Sequence, residues 1–189
     1  ANPGTEWLDC GSFTPELQEE SPLLATTLDQ ASSTVPIVVH AVDHHTIWVN
    51  SAALAVAGLQ STAPSVVGGS IDVDDDGRPT GVLREWNAMN LIYVHQPKPA
   101  IESDIIAIEA AQERMLSNGI VAVQDAWIDR GMETPYLEAA ATDRLRMRFN
   151  LAVRIDPQQW RDDLNFAKAT RSAVRDVANP LLTANTVKI

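Results

Sequence analysis

Asn118-Gly-Ile-Val-Ala-Val-Gln-Asp125 decides how this chain folds, because an amphipathic run stands on either side of it. Ile120–Gln124 reads as a short buried strand that ends at Asp125. Upstream, Ile101, Ile105, Ile108, Gln112 and Met115 recur at three- and four-residue steps. That spacing predicts a helix of roughly four turns with Gly119 just past its end. Only Gln112 interrupts the apolar stripe. Downstream, Glu133–Thr142 reads as helix and Arg146–Arg154 as a strand of alternating character. Asp156-Pro-Gln-Gln159 then starts another helix, with Asp as N-cap, Pro in the first turn and Gln at the capping-box position. This helix runs to about Val177, and Val187–Ile189 opens the next strand. Alternating helices and apolar strands call for right-handed crossovers and a parallel sheet, an α/β class. Two and a bit such units cannot close a barrel. With a loop-like Ala1–Gly4 and an apolar end at Thr186–Ile189, the chain is expected to be a piece of a longer protein.

The first third is expected to be irregular and turn-rich. Thr14-Pro15 and Ser21-Pro22 each resemble an N-cap followed by Pro, so short helical turns are predicted there. Pro36–His40 reads as a buried strand. Ser51–Ala57 reads as a short helix capped by Asn50 or Ser51 and closed by Gly58. Extended pieces on either side of Asp76-Gly77 predict a β-hairpin. Gln96-Pro-Lys-Pro99 is the one internal boundary the composition offers.

Composition excludes several classes. The 189 residues carry 14 basic and 25 acidic side chains, a net charge of −11, which argues against nucleic acid and against an anionic membrane surface. No apolar run approaches the roughly 20 residues that span a bilayer. The single Cys10 excludes an internal disulfide framework and a Cys-rich zinc module, and fits a reducing, cytoplasmic setting.

Few motifs carry chemistry by themselves. Asp72-Val-Asp-Asp-Asp-Gly77 satisfies the opening of a calcium loop, but the twelfth position, where a Glu is needed, is Leu83; a solvated hairpin tip is the simpler reading. Asp43-His44-His45 has neither the alternate-strand nor the one-turn spacing of metal ligands, because adjacent residues of an extended segment face opposite ways. Asp125 and Lys188 are polar groups at strand ends, where parallel barrels collect their active-site residues. Glu85 is an isolated carboxylate for which an ion pair with Arg84 or Arg78 suffices. No G-x-S-x-G elbow or P-loop occurs, and the five tryptophans are scattered as in a packed core.

Several ordered blocks resemble one family. They are Pro36-Ile-Val-Val, Asp43-His44-His45, Trp48-Val-Asn50-Ser51-Ala-Ala-Leu54, Gly68-Gly69-Ser70-Ile71, Asp76-Gly-Arg-Pro-Thr-Gly-Val-Leu-Arg-Glu85 and Asn118–Ala126. Together they are similar to amidohydrolase family 3 of the metal-dependent amidohydrolase superfamily, which includes YtcJ-like proteins, N-substituted formamide deformylases and AepA-type proteins. The resemblance implies a distorted (β/α)8 TIM-like barrel. Residues 1–99 are then an inserted α+β subdomain, and residues 100–189 are about strands two to four of the barrel. It also implies hydrolysis of a non-peptide C–N bond in a small amide-type substrate by water activated on a divalent metal, zinc by expectation. Homo-oligomerisation is compatible with it. The superfamily's H-x-H pair and its distal His and Asp are absent from the chain, so the chain alone is expected to bind little metal and to be inactive. Of metal-site positions, Lys188 resembles a lysine that is carboxylated to bridge two ions, with Glu85 as its rival. His45, Trp48, Asn50 and Asp125 are implied for the substrate pocket. Two readings of other classes stand beside this one: an acidic binding module, with calcium at residues 72–77, and a regulatory protein that keeps the scaffold without the chemistry.

Overall fold

The computed structural model describes residues 6–14, 16–17 and 21–189. The chain divides between Lys98 and Pro99 into two units.

In the first unit, β1 (Leu8–Phe13), α1 (Ala25–Asp29), β2 (Ile37–Ala41), β3 (Thr46–Val49), α2 (Ser51–Val56), β4 (Ser70–Val73), β5 (Pro79–Arg84) and α3 (Glu85–Tyr93) follow one another. Their strands form one sheet in the order β1-β2-β3-β5-β4. β1 runs parallel to β2, and the remaining pairs are antiparallel. Apolar residues on both faces explain why the sheet forms. Val38, Ile47, Val49 and Leu83 pack with Ala53, Ala88 and other residues of α2 and α3 on one side. Phe13, Ala41, Trp48 and Val82 pack with Leu23 on the other. Each fully buried aliphatic side chain contributes about 1.5–3 kcal/mol, so this two-sided burial outweighs weak local propensity. Gly81 is indispensable to that packing. Its φ is +118°, and a Cβ there would stand 2.6 Å from the Val49 carbonyl oxygen.

The first unit is more regular than its sequence predicts. β1 and β3 arise where turns and loop were expected, and α3 where the sequence predicts no element. Ser21 lies in a bend, and the short helix begins only at Ala25, after Leu24. Pro15 and Ala1–Gly4 fall outside the described residues. The predicted α2 and hairpin are present, with Asn50 as the N-cap of α2. Asp43–His45 lies in a tight turn between β2 and β3 with His44 at φ 60°, so the alternate-face argument drawn from an extended segment does not apply.

The second unit runs α4 (Ile101–Ser117), β6 (Ala122–Ile128), α5 (Thr134–Ala141), β7 (Arg148–Arg154), α6 (Trp160–Val177) and β8 (Leu182–Lys188). The three strands are parallel in the order β6-β7-β8. Their inner side chains, among them Ile128, Phe149, Leu151 and Val153, pack with Ile105, Ala139 and Val174 of the helices. Gln112, the interruption in the apolar stripe, is fully buried. Its amide donates to the Arg144 carbonyl and accepts from the Arg146 N–H, so it closes the end of the α5–β7 loop.

Boundaries shift here for physical reasons. β6 starts at Ala122, and Ile120 and Val121 are exposed, because β6 is an edge strand of this sheet. It also runs past Asp125 to Ile128. α6 begins at Trp160: the Asp156 carboxylate accepts the Gln158 N–H in a separate turn ahead of the helix. β8 begins at Leu182, so Val187 lies next to the end of the strand instead of opening it. Two strands carry bulges. Between Asp125 and Ile128, β6 has one residue more than β7, and between Thr183 and Thr186 so does β8.

Candidate functional site

The carboxyl ends of β6, β7 and β8 bring four polar or aromatic side chains together. Arg154 and Lys188 are direct neighbours in register across β7 and β8. Both cations lie over the Trp127 indole, with Arg154 Cζ 5.3 Å and Lys188 Nζ 5.0 Å from its ring centroid. Asp129 fixes two of them: it accepts the Trp127 Nε1–H at 3.0 Å and the Arg154 Nε–H at 2.8 Å. Asp156 adds a longer pairing to Arg154 at 3.6 Å. Lys188 meets no carboxylate among the described residues; its ammonium rests on the indole face, a contact of about 0.5–1 kcal/mol when exposed.

Asp125, expected at the end of the strand, sits inside β6. Its side chain points toward the helices: Oδ2 accepts the Tyr136 hydroxyl at 2.9 Å and Oδ1 the Trp127 N–H at 3.2 Å. Burial and this carboxylate push the Tyr136 hydroxyl pKa up. Asn150 was not singled out from the sequence, although it is the one polar residue in Phe149–Val153. On the helix-free face it donates to Gln124 and to Thr186, both at 2.8 Å, and accepts from the Thr183 hydroxyl at 3.0 Å.

In the first unit, the expected pocket residues separate. His45 and Glu85 come together: Nδ1 of His45 lies 3.0 Å from a Glu85 carboxylate oxygen, and the Glu85 N–H donates to the His45 carbonyl at 2.8 Å. The pair is well exposed, and Glu85 takes a left-handed φ of 65°. The hydrogen bond and then the charge of Glu85 raise the His45 pKa. The ion pair of Glu85 is therefore with His45. Arg84 is held by Asp72 and Arg78 by Asp76.

Trp48 and Asn50, expected on the pocket wall, are interior residues of the first unit. Trp48 packs edge-on against Phe13 and donates Nε1–H to the Leu24 carbonyl at 3.1 Å. Asn50 has no exposed surface. Its Oδ1 accepts the Ile37 and Ala53 N–H groups, and its Nδ2 donates to the Ser32 and Val35 carbonyls.

These donors do not fit a catalytic divalent ion. Among the described residues, no three His, Cys, Asp or Glu side chains converge on one point. His45 and Glu85 are a pair, and Lys188 offers a single nitrogen directed at an aromatic face. The acidic hairpin fits calcium no better. Asp72 is bound to Arg84 and Asp76 to Arg78, while an Asp74 oxygen accepts the N–H groups of Asp76 and Arg78.

A family model described as the amidohydrolase family matches residues 2–189. The chain belongs to the amidohydrolase family. Within it, the exoenzymes regulatory protein AepA of Pectobacterium carotovorum is 34% identical over 103 residues, covering 53% of this chain and 22% of AepA. The N-substituted formamide deformylase of Arthrobacter pascens is 30% identical over 122 residues, covering 62% of this chain and 22% of the deformylase. Among solved structures, an uncharacterized metal-dependent hydrolase from Pyrococcus horikoshii superposes with a TM-score of 0.62 at 15% identity. It covers 97% of this chain and 34% of that one, a likeness of fold. The match thus spans about a fifth of the two curated relatives. No helix among the described residues is long and apolar enough to cross a membrane.

Proposed function

We propose that this chain is part of a metal-dependent hydrolase that cleaves a non-peptide C–N bond of amide or formamide type in a small molecule. The observation that carries this reading is the family match over residues 2–189. In this reading, the first unit is an inserted subdomain and the second contributes about strands two to four of a (β/α)8 barrel. Barrels of that type place their chemistry at the carboxyl ends of the strands, where Trp127, Asp129, Arg154 and Lys188 gather. A divalent ion, zinc by expectation, would supply an activated water and polarise the carbonyl. The residues of this chain bind and orient the substrate: Arg154 offers positive charge, and Trp127 offers an aromatic wall.

The test is to purify the complete protein and the 189-residue chain, then measure bound zinc by elemental analysis and formate released from a formamide panel. Metal and formate are expected with the complete protein and neither with the chain. No formate from any member of the panel with the zinc-loaded complete protein overturns the reading, whereas stoichiometric zinc with turnover in the chain alone overturns only the expectation that the chain is inactive by itself. The likeness to AepA favours a second reading, a regulatory scaffold without chemistry. Absence of an H-x-H pair from the complete reading frame would select it.

A further inference from the structure

Alternation along an unbroken strand would turn Lys188 toward the helices. Leu182 and Ala184 of β8 are buried among helix residues, so a period of two puts Thr186 and Lys188 on that same side. The strand does otherwise. Asn150 pairs with Thr183 and Ala152 with Thr186, so Leu151 alone stands opposite both Ala184 and Asn185. The extra residue reverses the parity and brings Thr186 and Lys188 onto the helix-free face, level with Ala152 and Arg154. The direction of the Lys188 stem is fixed in this way whatever its terminal nitrogen carries.

A bulge leaves backbone groups without partners in the ladder. Asn150 supplies a partner from the neighbouring strand. Its Oδ1 accepts the Asn185 N–H at 3.1 Å and the Thr183 hydroxyl at 3.0 Å, and its Nδ2 donates to Thr186 Oγ1 at 2.8 Å. One amide thus grips the extra residue and both of its flanks. The second hydrogen of Nδ2 goes to Gln124 Oε1 at 2.8 Å, which ties the same side chain to β6 and uses its full bonding capacity.

β6 repeats the device on the other side of β7. Asp125 faces the helices, and plain alternation would place Trp127 beside it. One extra residue between Asp125 and Ile128 keeps Ile128 in the core and turns Trp127 onto the helix-free face, against Arg154. The Asp125 carboxylate accepts the Trp127 N–H with one oxygen and the Tyr136 hydroxyl with the other. Each bulge therefore has a side chain that accepts a backbone N–H from inside it. Bulges recur next to active sites, where they re-aim a side chain.

We propose that Asn150 is a positioning residue of the site at the carboxyl ends of the strands: by holding the β8 bulge it decides which face Lys188 takes. It acts through Asn185 and Thr186. That this placement serves turnover rests on the hydrolase reading; that Asn150 sets the face does not, and the two are measured separately.

The face is read by NMR on the metal-free 189-residue chain. With the bulge in place the Thr186 and Ala152 methyls are neighbours and should give a nuclear Overhauser contact. Asn150→Leu should lose that contact. Asn150→Asp should keep it, because both threonine hydroxyls and the Gln124 amide can donate to a carboxylate. The Asn185 N–H should exchange slowly in the unaltered chain, and this measurement decides if Asn150→Leu does not fold. Turnover is read on the complete protein with the formamide panel. There Asn150→Leu should lower kcat on the order of a hundredfold with little change in KM, and Asn150→Asp should retain most of the activity. A freely exchanging Asn185 N–H, or a Thr186–Ala152 contact that survives in Asn150→Leu, overturns the proposal. So does an unchanged kcat in an Asn150→Leu protein that has lost the contact. Absence of turnover by the unaltered complete protein counts against the hydrolase reading alone, and the NMR contact and exchange then decide.

Discussion

Replacing Asn50 by Ala removes four hydrogen bonds at a position with no access to water. The Ile37 and Ala53 N–H groups lose acceptors at 2.9 and 3.0 Å, and the Ser32 and Val35 carbonyls lose donors at 2.8 and 3.0 Å. Loss of the N-cap alone costs about 1 kcal/mol. Each buried backbone group left without a partner adds about 1–3 kcal/mol, reduced where the neighbouring turn relaxes. A total of about 3 kcal/mol is expected, a large fraction of the roughly 5–15 kcal/mol that holds a domain together. In urea this lowers the midpoint by about 2 M with little change in slope. The assay is urea unfolding followed residue by residue in amide NMR spectra, with Val38 and Val49 reporting the first unit and Leu151 the second. Only the first unit should shift. Asn50→Asp keeps both acceptor contacts but sets a carboxylate against two carbonyls, so it is also destabilised at neutral pH and partly recovers in acid. A loss below about 1 kcal/mol for Asn50→Ala would refute the view that this side chain holds the unit's loops to its sheet.

Other outcomes follow from single contacts. Gly81→Ala should unfold the first unit at moderate temperature, since its Cβ meets backbone at 2.6 Å; a thermal melt within a few degrees of wild type would contradict the packing described. His45 should titrate above its ordinary value of 6.5 because Glu85 stabilises the imidazolium. The stabilising contribution is therefore full below 6.5 and disappears as pH rises through the raised folded value, and imidazole NMR should show the shift abolished in Glu85→Gln. Arg144 binds Glu102 and Glu109, and it lowers the Glu109 pKa. That contribution is present above the ordinary carboxylate value of 4.5 and is lost as pH falls through the lowered one, so Arg144→Met should be most harmful at neutral pH and least in acid. Calcium should leave the melting temperature unchanged, because Asp72 and Asp76 already neutralise arginines.

The parallel half of the fold is legible because its helices and strands have different hydrophobic periods, and these survive small errors at the ends. β1 is not legible: Leu8–Phe13 is an edge strand exposed along most of its length, so it leaves no apolar pattern. β3 is only four residues long and entirely buried, which resembles any short apolar run. α3 begins at Glu85 without a side-chain cap, so no start signal marks it. Site residues divide similarly. The place of Lys188 near a strand end is visible in the sequence, but the face it takes depends on a bulge held by Asn150 from another strand. Trp48 and Asn50 have the chemistry of pocket residues; only the sheet and the turn around them show that they are interior.

The most direct test of the claim that these residues serve a hydrolase of C–N bonds is amine release from N-formylphenylalanine by the complete protein. This substrate joins a formamide to a carboxylate. Steady turnover that stops on chelation is expected. No amine release with any divalent ion supplied would contradict the claim.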